Sequence, residues 1–207
     1  MRLLLAPCRA ELLASGSKFL ALAHPAGSLD DALAVRDAER RRHHDATHHV
    51  YAARLGDGIA RFDDDGEPSG TGGRPVLAEL EARELIDTVV VVTRWFGGTK
   101  LGTGGLARAY GGAAAAALDA ARTRRVVEGE IRYIVYEFGD TGAVARVLDA
   151  GSALRGPDEY GSGVRTEVRV PRGSGPDLDR RLRDATAGRA RLVPDDTPDS
   201  CWITVIT

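Results

Sequence analysis

Two glycine-rich segments flank one strongly apolar stretch, and they constrain the fold of this chain more than any other feature. The first is residues 63–75, DDDGEPSGTGGRP, and the second is residues 94–108, RWFGGTKLGTGGLAR. Glycine loses more conformational freedom on folding than any other residue, so dense glycine predicts unusual backbone angles or the close approach of another group. Both segments also carry charged and hydroxyl side chains, which indicates a surface site rather than a flexible linker.

The composition is typical of a globular protein and excludes several classes of function. The chain has 207 residues, 43% hydrophobic content and a net charge of −2, which excludes a chain-wide basic surface for nucleic acid but not a local patch. The apolar run 89–92 is far shorter than the ~20 residues that span a bilayer, and the first residues are too weakly apolar for a signal peptide. We therefore expect a cytoplasmic protein without a membrane partner. Cys8 and Cys201 lack metal-type spacing and predict inert thiols.

Periodicity predicts an α+β chain. Helices are expected at 29–42, 75–85, 104–121, 140–150 and 176–187, and strands at 17–23, 48–55, 87–93, 131–138, 153–160, 164–170 and 201–206, with two short strands in all within 1–23. The run 87–93, DTVVVVT, is typical of a central strand covered on both faces. From residue 126 the order is β-α-β-β-α-β, that of a ferredoxin-like unit. We therefore predict two domains, 1–125 and 126–207.

The second glycine-rich segment leads into a predicted helix and is the candidate binding site. Free backbone N–H groups and the helix dipole would stabilise an anion there, such as a nucleic-acid or nucleotide phosphate. The candidate residues are Arg74, Arg94, Gly97, Gly98, Thr99, Lys100, Gly102, Thr103, Gly104, Gly105 and Arg108. Tight packing between strand and helix is the alternative explanation of these glycines. Residues 102–107 match G-x-G-x-x-A, but they lie too far from the preceding strand for a dinucleotide fingerprint.

The first glycine-rich segment carries an acidic loop whose candidate residues are Asp64, Asp65, Glu67, Ser69 and Thr71. Clustered carboxylates suit a hard cation, although the EF-hand spacing is absent. The alternatives are ion pairs with Arg74 or Arg94, or capping of the helix that follows.

A histidine cluster is the other candidate for a metal. It comprises His43, His44, His48 and His49. His44 and His48 would share a helix face, but His48 begins a predicted strand. We expect no metal and no cofactor at this cluster or at the acidic loop.

No catalytic residue is predicted. The hydroxyl groups of Ser69, Thr71, Thr99 and Thr103 have no base beside them in the sequence and no nucleophile-elbow motif. The residues thus favour a binding protein over an enzyme.

The two segments resemble the signature of the Impact family, including its bacterial YigZ-type members. The resemblance extends over 17–121 and includes HDATH at 44–48, DGEPSGT at 65–71, VVVTRWFGG at 90–98 and KLGTGGL at 100–106. Trp95 stands where tyrosine is usual, Gly72 where alanine is common and His49 where asparagine is common. The resemblance implies an N-terminal domain like domain 2 of ribosomal protein S5, and a C-terminal ferredoxin-like domain similar to the last domain of elongation factor G. It supplies no catalytic residues.

These observations lead to two functional hypotheses. The first is a non-enzymatic cytoplasmic binding protein linked to translation regulation through RNA, the ribosome or a ribosome-associated protein. The alternative is an enzyme or sensor that binds a phosphorylated small molecule or nucleotide at the glycine-rich loop. A protein–protein adaptor, with glycines that serve only packing, is a third reading.

Overall fold

The computed structural model describes residues 1–56, 58–194 and 200–204. It has a mixed α+β architecture with two sheets and, among these residues, five α-helices. The chain divides into two compact units, Met1–Arg124 and Arg125–Thr207. Within the described residues no helix has the length and hydropathy needed to cross a membrane.

The first unit contains a five-stranded antiparallel sheet. Its elements are β1 Arg2–Leu4, β2 Cys8–Ala14, β3 Ser17–Pro25, α1 Leu29–Arg42, β4 His48–Arg54, β5 Ala60–Asp63, α2 Gly73–Ala82, β6 Leu85–Ile86, β7 Thr88–Trp95 and α3 Gly102–Asp119. The strand order is β2-β3-β7-β4-β5, which places β7 at the centre. The short strands β1 and β6 pair in parallel outside this sheet.

The central strand β7 is covered on both faces, which confirms the prediction for 87–93. Its four valines, Val89 to Val92, are fully buried. Val90 and Val92 pack in the core that α2 and α3 cover, whereas Val89 and Val91 pack with Ala32 of α1. Because side chains alternate along a strand, one continuous apolar run supplies two cores.

The alanine-rich composition of α3 allows the helix to lie close to the sheet. Ala109, Ala113, Ala114 and Ala117 are buried in the same cluster as Val90. Small side chains shorten the distance between two packed elements, so this helix is held close to the strands that precede it.

Several boundaries differ from the sequence-based prediction. The N-terminal 23 residues contribute three strands rather than two, because β1 pairs with the distant β6. The helix predicted at 75–85 is instead α2, which begins at Gly73 and ends at Ala82, since Glu84 has a positive φ of 54° and Leu85 starts β6. The prediction also missed β5, whose four residues lie where a loop was expected.

The second unit follows the predicted order of strands and helices. Its elements are β8 Thr123–Tyr136, a 3₁₀ turn Phe138–Asp140, α4 Thr141–Asp149, β9 Leu154–Tyr160, β10 Val164–Pro171, α5 Gly175–Thr186, β11 Arg191–Pro194 and β12 Ser200–Thr204. β8 pairs antiparallel with β10 on one side and with β11 and β12 on the other, and β9 pairs with β10. The predicted strand 201–206 corresponds to β12, and its positions 205 and 206 lie outside the described residues.

Candidate functional site

The acidic loop is held by bonds to its own backbone and to neighbouring strands. The carboxylate of Asp64 accepts hydrogen bonds from the backbone N–H groups of Gly70, Gly72 and Gly73 at 2.7, 2.9 and 2.8 Å. It thereby caps α2 from outside the helix, in the place of a local N-cap side chain. Burial disfavours the charged form, but these N–H donors outweigh it and hold the pKa of Asp64 below its ordinary value.

Two glycines make this cap possible. A Cβ on Gly72 would come within 2.9 Å of Val50, and one on Gly73 within 2.8 Å of Phe62. Both distances are shorter than real side-chain contacts, so the chain passes here only as glycine. The cap predicted as an alternative for this loop is therefore observed.

Asp65 ties the acidic loop to β4 and α1. Its carboxylate accepts the backbone N–H of His49 at 2.6 Å and pairs with Arg40, and its carbonyl oxygen bonds to His48 Nδ1 at 2.7 Å. Thr71 is buried and donates to the carbonyl of Pro68 at 2.6 Å. The exposed Ser69 is the member of the predicted set that stays at the surface of the loop.

Glu67 is the centre of a buried polar network. Its Oε1 accepts from Arg94 Nη1 at 2.5 Å and from the Tyr110 hydroxyl at 2.7 Å, while His48 Nε2 lies 3.7 Å away. The side chains of Glu67 and Arg94 are only 4% and 5% exposed. Burial, and then the hydrogen bond to Glu67, raise the pKa of Tyr110, so its hydroxyl remains a donor.

Arg94 therefore lies in the interior and not among the exposed cations of the loop. Its Nη2 contacts Ser17 Oγ at 3.3 Å, and its guanidinium lies 5.4 and 5.5 Å from the rings of Phe19 and Phe96. The pairing of the acidic loop with Arg94, which the sequence left as an alternative, is thus present through Glu67. The charge of Arg94 is neutralised before any ligand arrives.

Close backbone packing holds the second glycine-rich segment in place. A Cβ on Gly97 would lie 1.9 Å from the carbonyl oxygen of Gly16, in the turn between β2 and β3. Gly97 N–H also donates to Ser17 Oγ at 3.2 Å, and Phe96 N–H donates to Thr47 Oγ1 at 3.1 Å. The packing explanation of the glycines is therefore correct for Gly97.

The remaining glycines of this segment face open space. Gly98 and Gly102 have positive φ angles of 87° and 69°, and nothing lies within 4 Å of a Cβ placed on either. Residues 96–100 and 102–104 are exposed, which includes Thr99 and Thr103. Backbone geometry requires glycine at these two positions, and it leaves the main chain accessible to a ligand.

Lys100 and Arg108 line one surface cavity, named here the Lys100–Arg108 cavity. Its volume is about 370 Å³, and its lining consists of β2 and the β2–β3 turn on one side and the start of α3 on the other: Leu12, Ala14, Ser15, Lys100, Leu101, Gly105, Arg108 and Ala109. No carboxylate lines it. Both cations are exposed, and neither has an ion-pair partner among the described residues.

The start of α3 adds to the positive character of this cavity. No side chain caps the helix, and no acidic residue lies in its first turn. Arg108 reaches back along the helix, so that its Nη1 lies 3.5 Å from the position of a Cβ on Gly104. Arg74, at the start of α2, is exposed but does not line the cavity.

The sequence identified the α3 side of this cavity and missed the other side. Leu12, Ala14 and Ser15 come from β2 and its turn, more than 80 residues before Lys100. The available signal was local, since the pair Ser15-Gly16 between two apolar runs is typical of a tight hairpin turn. It predicts a turn but not the helix against which the turn packs.

The histidine cluster is used within the fold. His49 Nε2 lies 3.1 Å from the carbonyl oxygen of His43, and burial lowers the pKa of His49. The ring of His43 packs edge-on against Trp95, at 5.3 Å between centroids. In the part of the chain that is described, no group of three His, Cys, Asp or Glu side chains is arranged to hold a metal ion.

A larger cavity of about 640 Å³ lies in the second unit, around the β9–β10 turn. Two of its cations already have partners: Arg165 pairs with Glu159 at 3.3 Å and Arg189 with Asp140 at 2.8 Å. Its charges are therefore largely balanced, unlike those of the Lys100–Arg108 cavity.

Comparison with known proteins agrees with the resemblance found in the sequence. Residues 15–118 match the family model described as the Impact N-terminal domain. An IMPACT family member encoded in the pol 5′ region of Thermus thermophilus is 45% identical over 84% of this chain and 95% of its own length. The IMPACT family member YigZ of Escherichia coli is 30% identical over 86% of this chain and 89% of its own length.

A solved structure has the same overall fold. A crystal structure of a hypothetical protein aligns with a TM-score of 0.64 and 28% identity, and covers 94% of this chain and 97% of its own. Its printed description assigns no activity. The matched domain and the identity over most of the chain establish that this chain belongs to the Impact family.

Proposed function

We propose that this chain is a non-enzymatic binding protein that contacts RNA of the translation machinery through the Lys100–Arg108 cavity and the exposed loop beside it. One observation carries the proposal: two cations without carboxylate partners line the same cavity, and no acidic side chain lines it with them. Phosphate groups are the partners that such a pair of cations favours on a nucleic acid.

An exposed aromatic ring beside the cavity supports RNA as the partner. Phe96 is 47% exposed and belongs to the loop that ends at Lys100. Single-stranded nucleic acid is bound by combining a cationic groove with aromatic rings on which bases stack. The net charge of −2 makes this contact a local patch rather than a property of the whole surface.

The acidic signature has a supporting role in this proposal. Asp64 caps α2, Asp65 anchors β4, and Glu67 neutralises Arg94 beneath the loop. Of the residues predicted at the anion site, Lys100, Arg108 and the backbone of 98–105 would contact the ligand. Arg94 and Gly97 would position that loop.

The link to translation depends on finer domain assignments, which belong to the same proposal. The first unit would correspond to a domain like domain 2 of ribosomal protein S5, and the second to a ferredoxin-like domain resembling the last domain of elongation factor G, with the boundary near residue 126. Antiparallel pairing of β9, β10, β8 and β11, in that spatial order, supports the second assignment. The cytoplasm, where translation occurs, would be the location.

The test is a binding measurement with two surface cations removed. Fluorescence anisotropy with a labelled single-stranded RNA, at low salt, should show that Lys100→Ala/Arg108→Ala weakens binding by about tenfold or more, because charge-assisted contacts are each worth ~1.5 kcal/mol or more. Co-sedimentation with ribosomes provides the corresponding measurement on the assembled machinery.

A matched control removes the same charge elsewhere. Arg41→Ala/Arg124→Ala deletes two exposed arginines that do not line the cavity, and it should leave binding within about twofold. Equal losses in the two double variants would mean that RNA responds to net charge alone, which would contradict the assigned site.

A further inference from the structure

We infer that the Lys100–Arg108 cavity takes a phosphomonoester, the terminal phosphate of an RNA strand or the phosphate of a nucleotide, in preference to an internal phosphodiester. This inference rests on the proposed function and specifies the ligand of the same site. It follows from the charge, the size and the shape of the cavity.

The charge of the cavity matches a dianion. Lys100 and Arg108 supply two positive charges to one space, and no acidic residue lines that space. A phosphomonoester carries about −1.5 to −2 at pH 7, whereas an internal phosphodiester carries about −1. A diester in the cavity would leave one cation unbalanced, and a terminal phosphate would satisfy both.

The size of the cavity matches a single nucleotide. Its volume of about 370 Å³ lies near the lower end of the ~300–1,000 Å³ typical of small-molecule sites. The β2–β3 turn bounds one side through Ala14 and Ser15, and α3 bounds the other. This space suits one phosphate with its sugar rather than several linked nucleotides.

The lining separates a charged end from an apolar floor. Leu12, Ala14, Leu101 and Ala109 supply apolar surface, and the two cations stand at residues 100 and 108, eight apart, where helical geometry places them on a similar face. Gly104 lies between them and leaves room for the guanidinium of Arg108. An anionic group with an attached sugar or base therefore finds a complementary partner for each end.

Oligonucleotides that differ in one terminal group test this inference directly. The full-length protein is titrated with one RNA octamer in three forms, carrying a 5′-phosphate, a 3′-phosphate or hydroxyl groups at both ends. One phosphorylated form should bind about tenfold more tightly than the hydroxyl form. The preference should fall to about onefold in Lys100→Ala/Arg108→Ala and persist in Arg41→Ala/Arg124→Ala.

Competition separates the two sources of phosphomonoester. Displacement of the phosphorylated octamer by adenosine 5′-monophosphate, but not by adenosine, shows that the phosphate is the recognised group. If the monophosphate binds through Lys100 and Arg108 while no form of the octamer binds, the inference stands with a free nucleotide as ligand, and the proposed RNA function fails.

The remaining outcomes are adverse. Equal binding of all three octamers, with loss in Lys100→Ala/Arg108→Ala, overturns the phosphomonoester preference and leaves the proposed function intact. No binding of any phosphate-containing probe overturns both.

Discussion

At the scale of single residues, one carboxylate oxygen organises the interior beneath the glycine-rich loops. Arg94, Tyr110 and His48 all approach Oε1 of Glu67. A buried ion pair adds little stability compared with an apolar pair of similar shape, but removal of one partner leaves an uncompensated charge in the core. Glu67 and Arg94 are therefore more sensitive to single substitution than their net contribution suggests.

Glu67→Ala should lower the free energy of unfolding by about 3–5 kcal/mol, because Arg94 would remain buried without its counter-ion. Urea unfolding at neutral pH measures this loss. Glu11→Ala is the matched control: its ion pair with Lys18 is 47% and 43% exposed, and its removal should cost less than about 1 kcal/mol. Similar losses in both variants would show that the interior does not hold an unrelieved charge.

Gly97→Ala should lower the free energy of unfolding by about 3 kcal/mol, since its methyl group would lie 1.9 Å from the carbonyl oxygen of Gly16. Gly27→Ala is the control, because Gly27 has ordinary backbone angles and its nearest contact would be 3.9 Å away. Urea unfolding of the control should match the unsubstituted protein within about 0.5 kcal/mol. A tolerated Gly97→Ala would mean that the loop moves freely against the turn.

The position of Arg94 illustrates which part of the site the sequence could predict. Residues 94–108 stood out as a site because glycine and cations are dense there, and Lys100 and Arg108 do share a cavity. The burial of Arg94 depends on Glu67, which is 27 residues away in the sequence. No local pattern distinguishes an arginine with a buried partner from one that faces solvent.

At the scale of elements, α2 depends on a cap that comes from the preceding loop. The N-cap position is Gly72, which offers no side chain, and Asp64 supplies the carboxylate from eight residues upstream. A capping residue next to a helix can be identified from sequence, but one brought back by a loop cannot. For this reason the start of the helix was misplaced by two residues, at Pro75 instead of Gly73.

Asp64→Ala should destabilise the protein by about 1–2 kcal/mol at neutral pH, because three backbone N–H groups lose their acceptor. The folded pKa of Asp64 lies below its unfolded value near 3.9, so the ionised carboxylate stabilises the fold above that pH. This contribution is lost as the pH falls through the folded pKa. Urea unfolding from pH 7 down to pH 3 should therefore show the gap between the two proteins narrowing.

A gap that stays constant over this range would show that Asp64 does not act through its charge. Asp64→Asn provides the corresponding control, since an amide oxygen keeps an acceptor without titrating. Its stability should lie between those of the other two proteins at neutral pH.

The elements that sequence patterns predicted are those with long, regular runs. The five helices and the buried strand β7 were identified because their periodicity extends over at least seven residues. β5 and β6 were missed because four and two residues are too few to establish a pattern. Their pairing with β4 and β1 depends on partners that are distant in sequence or lie across a turn.

At the scale of the whole molecule, an almost neutral charge leaves the proposed contact with RNA to a small patch. A chain with a net charge of −2 has no broad positive field to attract a polyanion. The salt dependence of binding should therefore count the cations of one cavity rather than those of an entire face.

The logarithm of RNA affinity should fall with the logarithm of salt concentration at a slope of about −1.4, since each phosphate contact contributes about −0.7 for single strands. Lys100→Ala should reduce the slope to about −0.7. Anisotropy titrations between 50 and 200 mM salt would measure both, with Arg41→Ala as a control that keeps the steeper slope. A slope several times steeper would indicate a larger interface than this cavity.

The turn between β2 and β3 consists of Ser15 and Gly16, both with positive φ angles of 47° and 78°. Its carbonyl oxygen at Gly16 meets Gly97, and Ser15 borders the cavity, so one short hairpin touches both the loop and its binding surface. An insertion or deletion in this hairpin would move the wall of the cavity and reopen the contact with Gly97. The length of the hairpin and the length of the glycine-rich loop are therefore inherited as a pair, and a change in one should be accompanied by a change in the other.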